Sequence, residues 1–133
     1  MSAVNVTTKT LLASPAVTAI VAQRVNPGIG PQNGTLPDIV VNRISGGPTY
    51  GLARSTGLIA SRVQIECRAK SFTAAENLGA AVLGALKDFR GTVNGLRVTM
   101  MATGSDYADH ADDASVFRRI LDVYVWCSEP VAA

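Results

Sequence analysis

The segment "SDYADHADDAS", residues 105–115, gathers the side chains best suited to chemistry. It holds His110, the only histidine of the chain, among Asp106, Asp109, Asp112 and Asp113. An imidazole that titrates near neutral pH beside carboxylates is a minimal set for proton transfer, and clustered carboxylates suit a hard cation. The spacing argues against both. A calcium loop needs the pattern D-x-[DN]-x-[DN]-G, which is absent. Nucleophile, base and orienting group would all have to come from this one stretch. A solvated acidic loop is expected, with no catalytic residue, no metal and no cofactor.

The two cysteines, Cys67 and Cys127, form no CxxC pair, and one histidine cannot complete a zinc site. Each ends an apolar alternation, so both are expected as buried thiols. Glu66, in "RVQIECRAK", is the only acid of its strand and is expected to form a surface ion pair with Arg62 or Arg68. Arg118 and Arg119 are adjacent, so on a strand they point to opposite faces and cannot clamp together.

Twelve Lys and Arg against ten Asp and Glu leave a charge of only +2. A dedicated duplex binder needs a cation for each phosphate it neutralises, so this balance argues, weakly, against high-affinity nucleic-acid binding by one chain. The N-terminus lacks a basic segment followed by an apolar one, and no apolar run approaches the ~20 residues of a membrane helix. A soluble chain without membrane contact is expected.

Elements that could position these residues can be read from periodicity. "VNVTTKTLLASPAVTAIVAQRV" reads as two helical pieces that restart at Ser14-Pro15, a cap followed by the first helical position. "NPGIGPQNGTLP" is a loop, and its "GIG" lacks the strand before and helix after that a phosphate turn requires. "DIVVNRIS" (38–45) and residues 58–70 read as strands joined by the glycine-rich "GGPTYGLARSTG", a long hairpin with its tip around Gly47 to Gly57. Thr73 and Glu76 fit a capping box, and Leu78, Ala81, Val82, Ala85, Leu86 and Phe89 form one stripe of a helix over 74–89, about 24 Å long. "LRVTMMA" (96–102) and "VFRRILDVYVWC" (116–127) complete the strands. The expected fold is one α+β domain over 1–133. Its antiparallel sheet has about four strands, with one long helix packed on one face and short N-terminal helices at an edge.

Alternation splits the sheet into two faces. Val63, Ile65, Cys67 and Ala69 should point to the core, as should Phe117, Leu121, Val123, Val125 and Cys127. Arg62, Gln64, Glu66, Arg68 and Lys70 point the other way, beside Val116, Arg118, Ile120, Asp122, Tyr124 and Trp126. Aromatics among charges on a face turned from the helix suggest an interface with a polar rim.

The order of elements resembles the tail-completion and tail-terminator proteins of long-tailed phages, which share the fold of the lambda-like tail terminator. The matching stretches are "LLASPAVTAIVAQRVNPG", "PDIVVNRISG", "RVQIECRAKSFTAAENLGAAVL" and "SVFRRILDVYVWCSE", running from about Leu11 to Glu129. The resemblance implies a structural virion protein and no enzyme. Such a protein is expected as a ring, usually of six copies, at the head-proximal end of the tail tube. There it would end tube polymerisation, meet the major tail tube protein and the head–tail connector protein, and let DNA pass through its lumen without specific binding. Assembly would take place in the host cytoplasm. Under this resemblance Arg62, Gln64, Glu66, Arg68, Lys70, Arg118, Tyr124 and Trp126 are expected at a subunit interface or the lumen. Gly47, Tyr50 and Arg54 on the hairpin, with Asp106, Asp109, Asp112 and Asp113, are expected as docking loops. Two other readings remain: a head-side adaptor ring, or a small nucleic-acid module using Arg62, Arg68, Arg118 and Trp126.

Overall fold

In "RVQIECRAK" strict alternation does what it should: Val63, Ile65, Cys67 and Ala69 are fully buried, and the residues between them are not. They lie in the centre of a sheet seen in a computed structural model that describes residues 3–28, 35–50, 52, 55–93, 95–110 and 116–128. The elements in chain order are α1 (Ala3–Leu12), α2 (Pro15–Val21), β1 (Val25–Pro27), β2 (Asp38–Tyr50), β3 (Ser55–Ala69), α3 (Phe72–Leu86), β4 (Arg90–Val93), β5 (Leu96–His110) and β6 (Phe117–Ser128).

The expected α+β sheet of about four antiparallel strands under one long helix is not what forms. The sheet has six strands in the order β1-β2-β3-β6-β5-β4, and β1 joins parallel to β2, so it is mixed. Strand residues far outnumber helical ones, and the three helices are short, α3 having 15 residues. Two small edge strands were hidden. β1 lies where helix and loop were expected, and β4 where Gly91 was expected to follow the helix end. The chain turns earlier, with Asp88 at φ 57, and Gly91 sits inside β4. Both strands are too short to show a period of two.

Strands also outrun their expected ends. β2 and β3 form one hairpin from the Asp38↔Arg68 pair to Tyr50↔Ser55, so Gly47 and Tyr50 are strand residues, not loop; Arg54 lies outside the described residues. β5 continues through most of the expected acidic loop. Asp106 and Asp109 therefore stand on a strand, while Asp112 and Asp113 lie outside the described residues.

α3 is capped by Ser71, whose Oγ accepts from the Ala74 N–H at 3.1 Å, not by the expected Thr73–Glu76 box. Its stripe is otherwise as expected: Leu78, Val82 and Leu86 are buried, with Ala81, Ala85 and Phe89 packed at the margin. Val6 and Leu11 of α1 and Val17 and Val21 of α2 join them over Ile39, Val41, Ile65, Met100, Leu121 and Val123 of the sheet. Thr7 and Thr10 are tolerated in α1 because each hydroxyl donates to a carbonyl one turn back, Ala3 O and Val6 O, at 2.8 and 2.9 Å. Both cysteines are buried and free. No single described helix is long and apolar enough to cross a membrane. All three helices pack on one face of the sheet, and no described helix covers the other.

Candidate interaction surface

On that uncovered face the register aligns side chains into rows across β2, β3, β6 and β5. The first row reads Asp38, Arg68, Arg118, Asp109. Its two arginines are direct cross-strand neighbours, a like-charge pair that would repel if left alone. Each is drawn to its own outer acid instead. Arg68 donates Nε to Asp38 Oδ1 at 2.7 Å and Nη2 to Oδ2 at 2.5 Å. Arg118 makes the same two-pronged contact with Asp109, both bonds at 2.6 Å. These hydrogen bonds push both guanidinium pKa values above their ordinary value, against a smaller opposing effect of burial. Asp38 is almost wholly buried under this contact.

The next row places Val40 and Ile120 either side of Glu66, with Tyr107 beyond. Val40 and Ile120 are buried although they face away from the helices. Asn42, Gln64 and Asp122 form the third row. Asp122 stands opposite a bulge: β5 has residues 103–105 where β6 has this one residue. It is buried, accepts from Arg62 Nε and Nη2 through Oδ2, and leaves Oδ1 without a hydrogen-bond partner among the described residues. The bond to Asp122 raises the Arg62 pKa. Arg62 in turn is paired in register with Tyr124, whose ring centroid lies 5.8 Å from that of Trp126.

So the structure brings Arg62, Gln64, Glu66, Arg68, Arg118, Tyr124 and Trp126 onto one face, as alternation required. Lys70 is exposed just past the end of β3. The expected pairing of Glu66 with Arg62 or Arg68 is replaced: those arginines take Asp122 and Asp38. Nothing in the local sequence identifies these acids, because cross-strand partners are set by register. The strand sequence does hold one signal, an acid at 122 between Ile120 and Tyr124 on the outward set. Gly47 and Tyr50 lie in the outer half of the hairpin, and fully exposed Leu52 lies at its turn.

Arg118 and Arg119 do point to opposite faces. Arg119 turns to the helix side, where Nε and Nη2 bind Asp106 at 3.0 and 2.7 Å and Nη1 donates to Glu76 O at 3.0 Å. Those bonds hold the Asp106 carboxyl below its usual pKa. Asp106 is thus a brace between β5, β6 and α3, and Asp109 a member of the outer row. Among the described residues no group of three or more His, Cys, Asp or Glu could hold a metal ion.

A trough of about 710 Å³ opens on the same outer face beyond Tyr124, lined by Trp126, Leu58, Thr99, Ser128, Arg90 and Arg97 among others. Neither arginine was singled out by the sequence, since each stands alone in its strand.

The family described as Tail completion protein gp17 matches residues 7–128. This chain belongs to that family. No curated protein sequence matches it. Among solved structures, a chain of the "Virion of native gene transfer agent (GTA) particle" is similar in fold, with a TM-score of 0.73 at 17% identity, covering 96% of this chain and 95% of that one. Membership in the tail completion family makes the chain a structural protein of virion assembly, located in the virion tail and built to contact other head or tail proteins. The expected resemblance therefore holds.

Proposed function

We propose that the chain, as one domain over 1–133, forms a ring at the head-proximal end of the tail tube. There it ends tube polymerisation and presents a surface to the head–tail connector protein. The observation that carries this reading is the uncovered sheet face, on which Arg62, Arg68 and Arg118 are all neutralised by acids of the same chain. Such a face can line a passage for DNA without gripping it, because no unpaired arginine in those rows is left to replace counterions on phosphate. Its half-exposed Tyr124 suits it equally to the margin of a neighbouring copy. The β2–β3 hairpin, with Gly47, Tyr50 and exposed Leu52, and the acidic end of β5 are the elements that would reach the tube or connector.

The test is tube assembly from the major tail tube protein with and without this chain. Tubes should stop at a fixed length and bind connector only when it is present. Tubes of unchanged length and unchanged connector capture would sink the proposal.

A further inference from the structure

We propose that β4 is a docking edge for an extended segment of a different protein, one whose side chains alternate acidic and aliphatic, which adds to the sheet as a further strand. The inference rests on the proposed function only in that the chain meets another head or tail protein. The sheet has two edges, β1 and β4. In β1 the parallel ladder to β2 uses Arg24, Asn26 and Gly28: Ile39 N–H donates to Arg24 O, and Gly28 N–H to Val41 O. Val25 and Pro27 point outward, but the Val25 N–H already donates to Gln23 O at 2.9 Å and Pro27 has none. That edge offers no donor. β4 differs. Met100 N–H donates to Phe89 O across the β4–β5 ladder, which makes Gly91↔Val98 and Val93↔Leu96 its hydrogen-bonded pairs. Arg90 and Thr92 belong to the alternate pairs, so their N–H and C=O groups point away from β5 to the open edge. A strand laid there finds two donors and two acceptors in register.

A cavity lies on each side of this edge. On the outer face the trough of about 710 Å³ runs past Arg90 and Thr92 with Arg97, Thr99 and Trp126. On the helix face a second cavity, of about 540 Å³, lies between α1, α3 and β4, with Ala85, Phe89 and Val93 as its apolar wall and Lys9 beside them. Successive side chains of an added strand point to opposite faces, so one set would enter the outer trough and the other the helix-side cavity. The linings decide what each set must be. Arg90 and Arg97 are exposed and hold no acid among the described residues, whereas Arg62, Arg68, Arg118 and Arg119 each hold one. No described acid lines either cavity. Carboxylates therefore suit the outer set. Aliphatic groups suit the set that meets Phe89 and Val93, both only partly buried against the core. The same arginines disfavour a second β4 on this edge, because like charges would then stand close together.

The probe is a blocked peptide of about six residues alternating Asp and Val, roughly 20 Å when extended and so longer than β4. Binding is followed by emission of Trp126, the only tryptophan, and by exchange of the Arg90 and Thr92 amide protons. The peptide should bind roughly tenfold more tightly than its Lys–Val counterpart, and Arg90→Glu/Arg97→Glu should reverse that order. Thr92→Pro removes an outward N–H without touching the ladder to β5, and should weaken the peptide roughly tenfold with an unchanged circular dichroism spectrum. Where Thr92→Pro disturbs β4, the peptide itself carries the test. N-methylation of one alternate set of its amides should abolish binding to the wild-type chain, and N-methylation of the other set should not. Equal binding of the two peptides, no binding at millimolar peptide, or indifference to both N-methylations overturns the proposal. So does a Trp126 signal that answers a short DNA oligomer and not the peptide, or self-association that Thr92→Pro abolishes while the peptide fails to bind. All of this is measured on the isolated chain, so a failure here leaves the tube-length test of the ring untouched, and tubes of unchanged length leave the peptide result standing.

Discussion

Arg119 runs directly beneath Gly79. A Cβ built at Gly79 would overlap Arg119 Cδ and stand 2.9 Å from its Nε. The glycine in the middle of α3 is therefore the space through which an arginine on the core face reaches Asp106 and the Glu76 carbonyl. Alanine normally gains about 1 kcal/mol over glycine inside a helix. Here the arginine is held at its far end and cannot swing clear, so the overlap, costing about 1–3 kcal/mol, should win. Gly79→Ala should lower the urea midpoint, and in an Arg119→Ala background the same change should raise it. A stabilising Gly79→Ala in the wild-type chain would contradict the geometry.

Acid should loosen this brace. The Asp106 pKa is depressed in the folded chain by its hydrogen bonds to Arg119 and lies at its ordinary 3.8 when free of them. Its contribution is therefore fully present above about pH 4 and lost as pH falls through the lower folded value. Asp106→Asn should flatten the acid limb of stability against pH and leave the curve shape above pH 5 unchanged. An acid limb identical to the wild type would show that the pair contributes nothing.

The outer row offers a sharper test. Asp38 is buried with Arg68 over it, so Asp38→Ala strands a mostly covered guanidinium. The loss should be about 3 kcal/mol, the low end for breaking a buried pair. Asp109→Ala opposite Arg118, where both partners are about a third exposed, should cost under about 1 kcal/mol. Equal losses at the two ends of the row would mean that burial does not control these pairs.

Leu52 should behave in the opposite way. It is fully exposed, so Leu52→Ser should leave the thermal midpoint within about 1 °C while weakening capture by tube or connector. A fall in stability would place this leucine in contact with the body of the fold.

These cases mark what was legible in the chain. Long amphipathic runs were: "RVQIECRAK" and the α3 stripe have enough repeats for burial to impose their period. The uncovered face was also legible, because alternation assigns it without knowing the neighbours. Partner identity was not. Asp38 and Asp122 meet Arg68 and Arg62 only through strand register, thirty and sixty residues apart. β1 and β4 escape because three or four residues carry no period, and β5 reads short because "SDYADH" sets the adjacent pair Tyr107 and Ala108 among polar residues and shows no apolar alternation. The fold class changed for the same reason: edge strands are held by backbone bonds that side-chain patterns do not record.

Cys67 and Cys127 lie inside the core, and burial pushes the Cys67 thiol up to about 12. Alkylation should reach neither at pH 8 until denaturant is added. Burial and the raised pKa both keep Cys67 in the thiol form at pH 8, and thiolate is the form that oxidants attack. The fold thus protects these two sulfurs by shielding, with no disulfide between them.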